Sequence, residues 1–227
     1  MSTDFNKNDV NCYKYELKDT DGVIFDLDGT LWDSSYNIAK AWNELLKTRP
    51  DIVREDITQE DLYHNMGLPM YDIAANLFPN EEPHVRNALM DDMGIFENEY
   101  LLKTGGELFP GVRELIMKTA GKHPVFVVSN CQSGYIEAFI KAHDFEGVFK
   151  DHTCWGDTGN GKGDNICLIV ERNGLERPVY LGDTASDSKA CRQANVPFIY
   201  ASYGFGDTDE YAAKIENPLD LLSLLDI

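Results

Sequence analysis

Four short apolar runs constrain this chain more than any other feature: Val23-Ile24-Phe25, Val125-Phe126-Val127-Val128, Val179-Tyr180-Leu181 and Phe198-Ile199-Tyr200. Each is rich in β-formers and none alternates with polar residues, the pattern of strands covered on both faces. Helical patterns separate the last three. "GVRELIMKTAGK" carries Val112, Leu115, Ile116 and Thr119 on one face, and "SGYIEAFIKAH" carries Tyr135, Ile136, Phe139 and Ile140. "DNICLIVERNG" and "SDSKACRQAN" bracket the third run. Strands alternating with helices predict a Rossmann-like α/β core with a parallel sheet. Right-handed crossovers then line up the carboxyl ends of the strands along one edge, where such sheets bind ligands.

The pattern changes between about residues 34 and 109, where no strand signal is visible. "SYNIAKAWNELLK" places Ile38, Ala41, Trp42 and Leu45 at helical spacing. "TQEDLYHNM" opens with Thr58-x-x-Asp61, a capping-box-like start. Pro69 and Pro79 punctuate, and "VRNALMDDMGIFENEYLLK" reads as helix again. We therefore expect an α/β core of residues 17–33 and 110–227 and an all-helical insertion over 34–109, directly after the first strand.

The strand ends carry the chemistry. The first run ends in Asp26-x-Asp28-Gly29-Thr30, the second in Ser129-Asn130, and the third in Gly182-Asp183-Thr184-x-x-Asp187. Lys162 lies between the last two, in the glycine-rich "GNGKGDN". Carboxylates at the end of a buried strand are expensive to desolvate and repel one another, so something positive should neutralise them. Side chains two apart on extended chain share a face, so Asp26 and Asp28 can address one ligand. Carboxylates converging without a basic cluster suggest a hard divalent cation, Mg2+. The hydroxyls of Thr30 and Ser129, the amides near Gly29 and Asn130, and Lys162 suit a phosphoryl group. One carboxylate can then attack phosphorus while the other moves a proton.

Taken in order, these elements resemble the four motifs of the haloacid dehalogenase superfamily, in its phosphatase branch. "DLDGT" is similar to the first motif, Ser129 to the second, Lys162 to the third and "GDTASD" to the fourth. The helical insertion resembles that family's small cap domain. The stretch "YLGDTASDSKACRQANVPFIYASYGFG" is similar to phosphoglycolate-phosphatase-like members. The resemblance implies that Asp26 is nucleophile and magnesium ligand. It makes Asp28 the general acid/base, binding metal through its backbone carbonyl. It makes Asp183 a metal ligand, with Asp187 orienting the metal site from further out. Gly29, Thr30, Ser129, Asn130 and Lys162 would hold the phosphoryl group. An acid at position 28 favours phosphate chemistry over carbon–halogen cleavage. Phosphate-monoester hydrolysis is the reading this supports. A sugar phosphomutase and a catalytically silent binding protein of the same fold are the alternatives.

Blander readings exist for each residue taken alone. Asp-Gly is a common turn pair, a strand-end Ser129 can cap a helix, Lys162 can be a solvated loop lysine, and Asp187 can be a first-turn helix acid. Gly156-x-x-x-x-Gly161-Lys162 mimics a P-loop, but Gly163 stands where a hydroxyl is needed, and "FKDHTCW" reads as a poor buried strand. The histidines at 64, 84, 123, 143 and 152 are dispersed, and none pairs with a serine or cysteine in a nucleophile motif. Trp32, just after the aspartate turn, is placed to line an entrance. In the insertion, Asn65–Met70 is the loop expected to face the substrate, because Gly67 and Pro69 break the helical pattern there.

Composition narrows the partners. A net charge of −19 repels nucleic-acid backbones, leaving a small phosphorylated metabolite as the expected ligand. Cys12, Cys131, Cys154, Cys167 and Cys191 are scattered without zinc spacing and read as buried free thiols in a reducing cytoplasm. The polar N-terminal stretch does not read as a signal peptide, and no apolar run approaches bilayer length. A monomer or small homo-oligomer away from membranes is expected.

Overall fold

The computed structural model describes residues 15–227. Six parallel strands form one sheet in the order β5-β4-β1-β6-β7-β8. The central strand β1 (Gly22–Phe25) lies between β4 (Val125–Ser129) and β6 (Pro178–Gly182). Val23 is in register with both Val125 and Val179. β7 (Phe198–Ala201) follows outside β6. The four runs read from the sequence are therefore the four inner strands.

The apolar runs are continuous because both faces of the sheet are covered. Val23, Phe25, Val127 and Leu181 join a core with α5 (Val112–Ala120) and α6 (Tyr135–Ala142). Ile24, Phe126, Val128 and Tyr180 face the other way, onto α8 (Lys162–Asn173) and α9 (Ala185–Ala194). Removing a buried aromatic such as Phe126 from such a core costs about 3–5 kcal/mol.

Two edge strands correct the sequence reading. β5 (Asp151–Cys154) comes from the stretch read as a poor strand, and β8 (Ala213–Ile215) had no signal. At an edge a strand needs only one covered side. Asp151 and His152 are half-buried, and Asp151 meets Arg172 at 2.7 Å. Thr153 and Cys154 are buried.

The 34–109 stretch is also not wholly free of strand. β2 (Trp32–Asp33) pairs antiparallel with β3 (Glu107–Leu108), Trp32 opposite Leu108. Two residues are too few to show a period. Between them run α1 (Ser35–Leu46), α2 (Gln59–Tyr63), α3 (Met70–Leu77) and α4 (Pro83–Thr104). The Thr58–Asp61 capping box forms as read, the Asp61 amide donating to Thr58 Oγ1 at 3.1 Å. α1 buries Ile38, Ala41 and Trp42. α4 buries a stripe of Leu89, Met90, Met93, Gly94, Glu97 and Leu101.

Cys131, Cys154, Cys167 and Cys191 are free, Cys167 being half-buried. Cys12 and most of the polar N-terminal stretch lie outside the described residues. No helix among the described residues is long and apolar enough to cross a membrane.

Candidate active site

Three polar strand ends meet at the carboxyl edge. Asp26 directly follows β1 and keeps its pairing, its amide donating to Leu181 O at 2.8 Å. The chain then turns tightly, with the Leu31 amide donating to Leu27 O at 2.8 Å. Gly29 is required there on two counts. Its φ is +79°, and a Cβ would lie 2.2 Å from Asp183 Oδ2.

Asp183 follows β6. Its Oδ2 accepts from the amides of Phe205 at 2.8 Å and Gly206 at 3.2 Å, and its Oδ1 accepts from Thr30 Oγ1 at 3.4 Å. Asp187 belongs to a capping box on α9, its Oδ2 accepting from Thr184 Oγ1 at 2.7 Å. Its other oxygen, Oδ1, meets Lys162 Nζ at 2.5 Å. Lys162 opens α8 and also reaches Asp26 Oδ1 at 3.0 Å. Carboxyl oxygens of Asp26, Asp183 and Asp187 all lie within 4.8 Å of one another.

Asp26 and Asp187 share one buried cation, Lys162. Burial, then the neighbouring Asp187, holds Asp26 well above the usual carboxylate range, against the pull of Lys162. The same two causes push Asp183 up to about 7. Burial opposes the charge on Lys162, yet Asp187 and Asp26 together raise it above an ordinary lysine. The neutralising charge expected from the sequence is thus Lys162, and it serves Asp26 and Asp187 but not Asp28.

Asp28 is held by neutral donors instead. Ser34 Oγ and Tyr135 OH each donate to its Oδ1 at 2.7 Å. Burial raises it, partly offset by those two hydroxyls.

Asp26, Asp28, Ser129, Asn130 and Lys162 line one open cavity. Gly29, Thr30, Asp183 and Asp187 are not among the residues that line it. The Gly29 amide is taken by Trp32 O at 3.0 Å, and the Thr30 hydroxyl by Asp183. The opposite material comes from the helical stretch: Asn65, Met66, Gly67, Leu68 and Met70 all line the cavity, as the 65–70 reading expected. Asn130 Nδ2 donates to Gly67 O at 2.8 Å, tying that loop to the β4 end.

One residue differs from its expected place. Trp32 is fully buried, edge-on to Tyr135, Phe139 and His143, so it packs the core and lines no entrance. The apparent P-loop begins inside the short helix α7 (Trp155–Thr158), not in a strand-to-helix loop. Among the described residues no histidine lines the cavity.

The sequence reading missed Tyr135, Gln132 and Glu97 as cavity residues. Glu97 is 2% exposed. Trp42 Nε1 donates to its Oε2 at 2.6 Å and Gln132 Nε2 to its Oε1 at 3.0 Å. Burial, with Asp28 adding to it, pushes Glu97 up to about 8. A signal was available: Glu97 stands four residues after Met93 and four before Leu101, inside the apolar stripe of α4.

Comparison with known proteins agrees with this geometry. A family model described as haloacid dehalogenase-like hydrolase matches residues 23–201. A phosphoglycolate phosphatase of Caulobacter vibrioides is 27% identical over 93% of this chain and 91% of its own. A 5'-nucleotidase of Pseudomonas aeruginosa is 26% identical over 84% and 86%. A haloacid dehalogenase-like family hydrolase from Streptococcus pneumoniae superposes with a TM-score of 0.76 at 19% identity, over 90% of this chain and 97% of that one, and so shares the fold.

Proposed function

This chain belongs to the haloacid dehalogenase-like hydrolase family and is a phosphatase-type enzyme, and from that premise we propose that it hydrolyses a small phosphate monoester with Mg2+, through an aspartyl-phosphate on Asp26. The observation that carries the proposal is the pairing of two unlike carboxyls in one cavity. Asp26 is buried and touches Lys162 at 3.0 Å, while Asp28 is held by two hydroxyls and raised by burial. Lys162 favours the ionised, attacking form of Asp26 against its burial, and Asp28, held by hydroxyls, is placed to carry a proton.

In the proposed cycle an Asp26 oxygen attacks phosphorus and the bond to the leaving oxygen breaks. Asp28 gives that oxygen its proton, so the alcohol departs neutral. Asp28 then takes a proton from water, whose oxygen attacks phosphorus and releases phosphate, regenerating Asp26. Lys162, Ser129 and the Asn130 amide hold the phosphoryl oxygens. Gly29 and Thr30 act behind them, fixing the turn and Asp183.

The donor set fits a hard divalent ion. Asp26, Asp183 and Asp187 offer only oxygens, within 4.8 Å of one another. Asp26, the Asp28 carbonyl and Asp183 would hold it, with Asp187 steering them through Lys162. When bound, the metal offsets phosphoryl charge.

We take residues 34–109 as a cap over the core of residues 17–33 and 110–227, excluding water and limiting ligand size. The names of the relatives, a phosphoglycolate phosphatase and a 5'-nucleotidase, support a small phosphorylated metabolite. The charge of −19 disfavours nucleic acid. Free cysteines support a reducing compartment such as the cytoplasm, with a monomer or small homo-oligomer as the working state. The test is turnover of a generic aryl phosphate. Chelator abolishes it and added Mg2+ restores it; full activity in chelator refutes the metal role.

A further inference from the structure

We propose that Glu97 selects phosphate esters whose leaving group carries an ammonium group, so that the preferred substrate is a small aminoalkyl phosphate and not a phosphorylated carboxylic acid. The inference rests on the phosphatase reading above.

Glu97 lines the same cavity as Asp26 and Asp28. Each of its oxygens accepts one neutral donor, from Trp42 and from Gln132. Among the described residues no lysine, arginine or histidine forms an ion pair with it, and the one cation lining the cavity, Lys162, is engaged by Asp26 and Asp187. A buried carboxylate without a cation is costly, and a charged partner that reaches it with a hydrogen bond removes much of that cost. Two neutral donors leave lone pairs on both oxygens for a third.

Among the described residues the cavity offers no free cation to a second anion. A carboxylate on the leaving group would be buried beside the Glu97 and Asp28 carboxyls with no free cation to pair with, which is costly. An ammonium group meets the opposite situation. The remaining wall, with Ile38, Leu62, Met66 and Met70, suits the methylenes between ammonium and phosphate.

A structural role is the competing account: Glu97 would only tie α1 to the chain after β4. The two accounts separate on substrates that differ at one atom group. With the full chain and Mg2+ at neutral pH, kcat/KM is measured for phosphoethanolamine, 2-hydroxyethyl phosphate, ethyl phosphate, phosphoglycolate and p-nitrophenyl phosphate. A charge-assisted hydrogen bond in a buried site should favour phosphoethanolamine over ethyl phosphate by about tenfold or more, with phosphoglycolate last. In Glu97→Gln that ratio should fall close to one. Equal losses on both esters in the variant would overturn the inference in favour of the structural role. Should the variant not fold, the wild-type ranking decides alone: phosphoglycolate first, or no preference for the ammonium ester, overturns it. Turnover of p-nitrophenyl phosphate with the wrong ranking leaves the phosphatase reading standing, whereas no turnover of any of the five overturns that reading as well.

Discussion

Lys162 Nζ stands 2.5 Å from Asp187 Oδ1, and both side chains are buried. The same nitrogen reaches Asp26 at 3.0 Å. One cation therefore holds two acids, from the ends of β1 and of α9, in a site with no other cation among the described residues.

Replacing Lys162 by Met should leave both acids buried and unpaired. Breaking a buried pair costs about 3–5 kcal/mol, so thermal unfolding should shift down sharply and aryl phosphate turnover should vanish. Adding Asp187→Asn to the same protein should recover part of the lost stability and none of the activity. A single Lys162→Met protein as stable as wild type would show that the pair contributes nothing.

Gly29→Ala should be inactive. Its φ of +79° and the 2.2 Å approach of a Cβ to Asp183 Oδ2 leave no room, and backbone strain of this kind costs about 1–3 kcal/mol by itself. Wild-type kcat in a folded Gly29→Ala protein would contradict the described turn.

The metal-free protein should lose stability as pH rises from about 4 towards 7, and Asp183 contributes to that slope. Its folded value is raised from 3.8 to about 7, so the unfolded chain deprotonates first and gains. The stabilisation is complete below the unfolded value and disappears as pH climbs through the folded one. Mg2+ should reverse this, raising the melting temperature more at pH 8 than at pH 5. Asp183→Asn should flatten the metal-free slope, remove the Mg2+ response and abolish turnover. Unfolding scans with chelator and with Mg2+ check each part.

Glu97→Gln should also flatten this profile, over a window that reaches higher. Burial raises Glu97 from 4.5 to about 8, so its contribution fades between those values, by an amount on the order of a few kcal/mol. Identical pH profiles in wild type and variant would mean that Glu97 finds a cation in the folded protein.

Much of this was legible in the sequence, and what was not has physical causes. The inner strands announced themselves because both faces are covered, which makes Val125–Val128 apolar throughout. The edges stayed hidden: Asp151 can sit in β5 because its carboxylate reaches Arg172 at the sheet rim. Asp26, Asp28 and Asp183 were visible as acids at strand ends, where burial makes a carboxylate conspicuous. The commitments of Thr30 to Asp183 and of the Gly29 amide to Trp32 were not, because a turn's own hydrogen bonds leave no mark on residue type. Trp32 looked like an entrance residue from its position alone, and only packing on Phe139 places it inside. Glu97 was hidden by its company, one acid among several in α4, although its spacing from Met93 and Leu101 put it on the buried face.

The central claim is that Asp26 attacks phosphorus. Asp26→Asn keeps the shape and removes the attacking charge, so the measurement is Mg2+-dependent turnover of an aryl phosphate by this variant, beside its circular dichroism. The account predicts no detectable turnover from a protein with the wild-type spectrum; near-wild-type turnover from that folded protein would contradict it.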